Sequence, residues 1–510
     1  MKQFSSSLSE FGGKLGVLLL SAFLMALPPI TDAAADDPDD DALAHPFELA
    51  IKADDGVASL PVFKGPFPET ENMQFLSQIS PDDLGALPVP DVWAKGMMND
   101  LWGWTSPNGE EYALAPNSGG IAIVRVTDPA NPVYLGKIQS QDPLNFGNIW
   151  GDPAVFGNYA YFVTEIVDSQ IVILDMSGLD ALGPAASPDT LLLAPVMFVA
   201  PGGYRSSHNI HINEASGFAY VAGVRLASGA ANNACGLDSP PRFNTLILDL
   251  NSSPGNPSVA ACIPDAGEHD FYVVNYTGPD TEHQGKEIAF VFDGRDREGQ
   301  ALGDPVGGKT LIWDVTDKSN IIELASFRLP DLVFSHNGWT TAEQDFLFIG
   351  DEIDELVLAG WSIAFLFAEP VADPTNMPQT GTYVVDISDL DNPVFFERYE
   401  DGTVGLDHNF VRKGDKLIVA SYTSGTRVLQ INRDNGGVHL SPYAVMDTEP
   451  RLQENILNIK QEENFGSAFL GQWGIYAFPN SDTIIASDIN NGLIVMKLSD
   501  APCFGISCSR

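Results

Sequence analysis

The chain has 510 residues, 44% of them hydrophobic, and a formal net charge of −42. That acidity excludes a nucleic-acid binder, because phosphate contacts need clustered Lys and Arg, and it excludes an electrostatic hold on anionic lipid. What it fits is a charged, well-solvated surface that also attracts cations such as Ca²⁺.

The first residues have the layout of a secretory signal. Lys2 and Lys14 precede an apolar run at 15–30, and Ala33-Ala34-Ala35 supplies small residues for cleavage. The run is short for a membrane span and carries Pro28-Pro29 near its end. A mature chain starting after Ala35 is expected, extracellular or, alternatively, periplasmic, with no membrane span left in it. The four cysteines fit an oxidising compartment. Three connectivities are open; Cys235–Cys262, within one repeat, and Cys503–Cys508, closing a small loop, are the expected pairs. Residues 36–71 are rich in Asp, Ala and Pro and read as an acidic linker.

From residue 72 to 498 a repeat governs the sequence. A run of β-formers, often ending in Asp, recurs seven times: Ile121 to Asp128, Ile171-Val-Ile-Leu-Asp175, Thr245-Leu-Ile-Leu-Asp249, Thr310-Leu-Ile-Trp-Asp314, Thr382-Tyr-Val-Val-Asp386, Thr426-Arg-Val-Leu-Gln430 and Leu493-Ile-Val-Met-Lys497. Asp, Asn and Pro follow the runs because they suit tight turns. Another β-rich run precedes each phrase, at 111–114, 159–163, 218–222, 288–292, 346–349, 417–420 and 483–486. Units of four strands about 50–65 residues apart are propeller blades. The last unit lacks an outer strand, whereas Met73-Gln-Phe-Leu-Ser-Gln-Ile79 stands alone before the first. The expected fold is all-β: a seven-bladed β-propeller closed by an N-terminal strand that completes the last blade and removes an exposed edge. Residues 499–510 form a short Cys-containing tail.

Across this region the chain resembles the LVIVD-repeat propellers and, more closely, the choice-of-anchor B proteins. The resemblance is carried by Asp100-Leu-Trp-Gly-Trp-Thr105, Glu111-Tyr-Ala-Leu114, Ser207-His-Asn-Ile210 with Asn213-Glu214, Gly278-Pro-Asp-Thr281, Asp314 to Asn320, Gly350-Asp-Glu352 and Asp407-His-Asn409. It implies an exported bacterial propeller joined to assorted surface anchors, with no established catalytic residues to carry over. No sorting motif or terminal hydrophobic span follows Cys508 here, so a released protein is expected.

Aligned on their hairpins, the units place these pairs at one position: Asn99-Asp100, Gly151-Asp152, His208-Asn209, His269-Asp270, His336-Asn337, His408-Asn409 and Trp473-Gly474. Half of the eight histidines fall there. The innermost strands of a propeller line its channel, so four neighbouring blades should bring His208, His269, His336 and His408 to one mouth. Imidazoles joined by carboxylates suit a divalent transition metal. Asp351 and Glu352 are the leading carboxylate candidates, and Glu165 and Asp293 are further ones. In the structural alternative the histidines bond adjacent blades, while Asn99, Asp100, Asp152, Asn209, Asp270, Asn337, Asn409 and Trp473 satisfy groups near the axis. His211 is expected to face away, and His45, His283 and His439 to lie in linker or loop contexts.

Long loops at 225–244, 293–309 and 351–381 belong to three of the four His-bearing units and share their face, as lids or binding surfaces do. Acidic loops at 278–283 and 293–298 have no EF-hand spacing for Ca²⁺. No nucleophile elbow, zinc-helix, phosphate-loop or dinucleotide motif is present. Two functions remain in view. One is a monomeric, non-enzymatic platform for a protein, glycan or cell-surface ligand. The other is a metal-dependent hydrolase of esters, lactones or phosphoesters.

Overall fold

The strand Glu287–Asp293 shows how this sequence makes a propeller. Successive side chains of a strand point to opposite faces. Ile288, Phe290 and Phe292 accordingly pack in one buried cluster with Leu347, Ile349 and Tyr383. Ala289 and Val291 pack in another with Tyr220 and Ile247. Both faces are buried, so the strand is apolar from Ile288 to Phe292 instead of alternating.

The computed structural model describes residues 64–499 except 68–69, 90–95, 142–149, 167, 199, 201–202, 227–243, 265–268, 295–307, 353–378, 401, 404, 435 and 451–468. These form seven antiparallel sheets, the blades of a propeller. Each innermost strand pairs with the next strand in sequence, and two more follow outward. From blade one to blade seven the inner strands are Trp102–Thr105, Gly151–Phe156, Ile210–Asn213, Asp270–Asn275, Ser335–Thr340, Phe410–Lys413 and Gln472–Ala477. Seven buried apolar clusters fill the seven interfaces between neighbouring blades.

Ring closure matches the sequence expectation. Met73–Ile79 pairs antiparallel with Gly492–Leu498 as the outer strand of blade seven, so chain start and chain end share one sheet. The propeller also takes in residues that their composition assigns to the linker. Phe67 is buried, and Thr70–Glu71 adds a fifth strand to the outer edge of blade six. Backbone pairing to Gly437–Met446 decides that placement, and composition does not report pairing.

The aspartate ending the repeated phrase has a local task. Its carboxylate accepts a backbone N–H two residues on, at 2.9 Å from Ser177 to Asp175, 2.9 Å from Asn251 to Asp249, 3.1 Å from Thr316 to Asp314 and 2.9 Å from Ser388 to Asp386. These turns send the chain outward into the fourth strand. A β-bulge then recurs between third and fourth strands in blades one, three, four, five and six. Bulges add twist, which a blade needs as it fans out from the axis.

Candidate functional site

Inner strands begin at one mouth of the channel, and second strands end there. That arrangement sets His208, His269, His336 and His408 beside the residues that follow Thr164 and Gly350. The imidazoles form a continuous arc, with ring centres 4.1 Å apart from His208 to His269, 4.5 Å from His269 to His336 and 4.3 Å from His336 to His408. Successive rings are tilted by 54°, 47° and 47° and do not all converge on one point. Along the arc, two overlapping groups have ligand atoms within 4.8 Å of one another: His208, His269 and Asp270, and His269, His336 and Glu352; a third group, Asp280, His283 and Asp391, lies elsewhere. His269 belongs to both groups on the arc.

The ends of the arc are spoken for. His408 directs Nδ1 to the Trp473 carbonyl at 2.7 Å, and its Nε2 meets the Trp473 indole N–H. An indole only donates, so Nε2 accepts and Nδ1 carries the proton. Burial, with neighbouring His269 and His208 adding to it, holds the His408 pKa well below 6.5 against the opposing pull of the Trp473 carbonyl. His408 is thereby a neutral tie between blades six and seven, with both nitrogens occupied. At the other end His208 Nδ1 bonds Glu165. Arg225 reaches the second Glu165 oxygen at 3.3 Å. Burial opposes protonation of His208, but the Glu165 bond and the charges of Glu165, Asp270 and Glu352 outweigh it and raise the pKa. A carboxylate behind a histidine leaves the other ring nitrogen facing the site, a common arrangement for a metal-binding histidine.

The middle of the arc differs. His336 is almost fully buried, and its Nδ1 has no hydrogen-bond partner. Its pKa lies well below 6.5 because of burial first, then the charges that neighbouring histidines would carry. Glu352 faces this stretch, with Oε2 3.6 Å from His336 Nε2 and Oε1 3.9 Å from His408 Nε2. The Tyr422 hydroxyl donates to Glu352 at 2.7 Å. Behind the arc, Asp270 lies 3.1 Å from His269 Nδ1, and the Phe334 ring packs 5.0 Å from that of His269. Two ligands of one tetrahedral ion with bonds near 2.1 Å sit about 3.4 Å apart. The His336–Glu352 spacing is close to that.

Of the carboxylates singled out from sequence, Glu352 and Glu165 face the arc. Asp351 instead accepts the backbone N–H groups of Val333 and, at 2.9 Å, Phe334, and so anchors the approach to the inner strand of blade five. Asp293 lies 3.7 Å from Lys309 Nζ across the base of its loop. His211 accepts the Val273 N–H at 3.1 Å, tying blade three to blade four. His283 contacts Asp391 at 2.8 Å, and His439 on the outer strand of blade six contacts Glu397 at 2.7 Å, so both link blades and neither faces the mouth. Tyr422 was missed in the sequence, because a turn tyrosine carries no pattern. Cys262 is disulfide-bonded. Cys235, Cys503, Cys508, His45, the signal segment and the tail lie outside the described residues, as does most of the three long loops. Among the described residues no helix is long and apolar enough to cross a membrane.

Directly below the arc, Asp100, Asp152, Asn209, Asp270, Asn337 and Asn409 line a channel cavity of about 710 Å³, counting space open to solvent. Asn337 donates to Asn409 Oδ1 at 2.6 Å and Asn209 to Asp152 Oδ1 at 3.5 Å. Asp100 shares hydrogen bonds with Asp152 and Asn409. Burial pushes the Asp100 carboxyl up to about 6, and burial plus the Asp100 and Asp270 charges pushes Asp152 well above the usual carboxylate range. Both shifts favour the protonated carboxyl over the carboxylate in this layer.

No protein-family model and no curated protein matches the chain. Among solved structures it is similar to the periplasmic gluconolactonase of Pseudomonas aeruginosa, at 12% identity over 69% of this chain and 85% of that one, with a TM-score of 0.41. It is also similar to a functionally unknown protein of Desulfotomaculum acetoxidans, at 10% identity over 80% and 94% of the two chains and a TM-score of 0.41. A Lactobacillus plantarum protein is 10% identical over 77% and 88%, with a TM-score of 0.39. At those scores the likenesses carry no argument about what the site does.

Proposed function

We propose that this chain is an exported β-propeller of the LVIVD-repeat, choice-of-anchor B type that holds a divalent transition metal at its channel mouth. It presents that metal, on the face where the second strands of blades three to five end, to a protein, glycan or cell-surface ligand. The observation that carries the reading is the group His269, His336 and Glu352, whose ligand atoms lie within 4.8 Å of one another. Two imidazoles and a carboxylate suit Zn²⁺ and its neighbours in the first transition row.

A second reading, a metal-dependent hydrolase, is favoured by the ligand count. Three protein ligands leave a tetrahedral ion one open position, as in catalytic sites, whereas structural sites are closed. A bound water would there become a nucleophile toward an ester, lactone or phosphoester. Glu352, held by Tyr422, would fix the ion's position.

Elemental mass spectrometry on the purified protein, beside His336→Ala, tests the centre. A stoichiometric transition metal in the wild type, lost from a folded variant, supports it. A wild type that takes up no metal on loading ends it. Assaying the loaded protein on lactone, ester and phosphoester panels, with chelated protein as control, then separates hydrolase from platform.

A further inference from the structure

The oxygen layer below the histidines is chemically distinct from them. Six of the seven blades place a carboxylate or carboxamide at one position around the channel. Blade seven contributes Gly474, where an added Cβ would lie 2.0 Å from Asp100 Oδ1. The missing side chain is what lets Asp100 sit in the ring. Among the described residues no lysine or arginine pairs with Asp100, Asp152 or Asp270; the ion pair at Asp270 is with His269. Three buried carboxylates therefore line one channel without a lysine or arginine partner, which is costly unless protons or a cation compensate.

A second observation comes from Asn337. It lines the cavity, is only 8% exposed, and commits its amide N–H to Asn409. Its Oδ1 is left buried with no donor facing it. A buried carbonyl oxygen without a donor is rare in a settled polar network and is what a cation would satisfy.

We infer that this ring, with Asp100, Asp152 and Asp270 supplying charge and the three asparagines supplying neutral oxygen, binds a hard divalent cation of the size of Ca²⁺ on the channel axis. An all-oxygen donor set selects a hard ion over the transition metals that imidazole prefers. The three carboxylates do not all come within 4.8 Å of one another. The ion would therefore keep part of its water, which Ca²⁺, with six to eight ligands in irregular geometry, tolerates better than Mg²⁺. The ring uses none of the imidazoles and meets the histidine centre at Asp270, 3.1 Å from His269 Nδ1.

The test is thermal unfolding of chelator-stripped protein at about 0.15 M salt, where diffuse attraction to the acidic surface is screened. Titrating Ca²⁺ to about 1 mM, the weak end for extracellular Ca²⁺ modules, should raise the Tm of wild type and of His336→Ala by a few degrees. Mg²⁺ should raise it less, and Asp152→Asn should abolish the Ca²⁺ response. No Ca²⁺ response in wild type, or one undiminished in Asp152→Asn, overturns the site. If that variant does not fold, Tb³⁺ replaces it as a probe on wild-type protein. Trp102 and Trp339 line the cavity, so a bound Tb³⁺ should show saturable tryptophan-sensitised emission at one equivalent that Ca²⁺ displaces. Absence of that signal also overturns the proposal.

Discussion

At the junction of blades six and seven, Asp488 accepts from the Thr448 hydroxyl at 2.6 Å and from the Asn491 N–H at 2.9 Å. Glu449 accepts from the Asn490 and Asn491 amides at 2.6 and 3.1 Å. All five residues are buried, and none of their side-chain polar atoms lacks a partner. Across the mouth, on blade five, a buried pair leaves His336 Nδ1 and Asn337 Oδ1 with no partner. The same repeat builds both sets, yet only the five-residue network around Asp488 and Glu449 satisfies itself; at the same junction Gln472 Nε2 stays unpartnered. A closed polar network adds stability, whereas open valences among buried ligand-type atoms mark a place for something from outside.

Breaking the closed side should cost the most. Asp488→Ala orphans the Thr448 hydroxyl and the N–H groups of Asn490 and Asn491. A loss of about 3–5 kcal/mol is expected, since a buried unpartnered donor costs about 1–3 kcal/mol. Chemical denaturation reads the loss, and metal content should not change. A variant as stable as wild type would deny the network its structural role.

His408→Ala comes next. It strands the Trp473 indole N–H and carbonyl and opens a cavity, for about 2–4 kcal/mol, while metal is retained. His336→Ala should do the reverse, losing metal at a smaller cost to the stability of the metal-free protein. Equal metal loss in both variants would mean that His408 is a ligand after all and that its tie to Trp473 gives way.

A pH experiment sharpens the contrast further. Burial pushes the Asp488 carboxyl up to about 7 from 3.8. A raised carboxyl binds more protons folded than unfolded, so its stabilisation is complete below the unfolded value and lost as pH rises through about 7. Asp488→Asn mimics the protonated form and abolishes that loss. Its Tm relative to wild type should climb between pH 5 and 8, and a flat difference would show that Asp488 is ionised throughout.

The smallest effect belongs to the rim. Arg433 pairs with Asp345 at 2.7 Å in a part-exposed setting between blades five and six. Arg433→Gln should cost under about 1 kcal/mol and lose even that in high salt.

Much of this architecture is legible in one dimension because a propeller repeats local patterns. Runs ending in Asp, a recurring His-Asn or His-Asp, and an orphan strand at 73–79 specify blade number, closure and the position of the histidines. These signals survive because strand periodicity and turn chemistry act within a few residues. Which atom of each histidine is free was not legible. His408 and His336 occupy equivalent places in their repeats. Trp473 on the next blade takes both nitrogens of one, and no such neighbour reaches the other. Adjacent Asp351 and Glu352 were equally plausible ligands. The pairing of Ser335–Thr340 with Phe346–Asp351 is bulged between Ser335 and Gly338. Asp351 there turns back onto the amides of Val333 and Phe334, while Glu352 reaches the arc. Sequence determined where the repeat brings imidazoles and carboxylates together, because period and turn are local. Tertiary structure alone decided which are satisfied and which are open, because that depends on what the neighbouring blade places within hydrogen-bond reach.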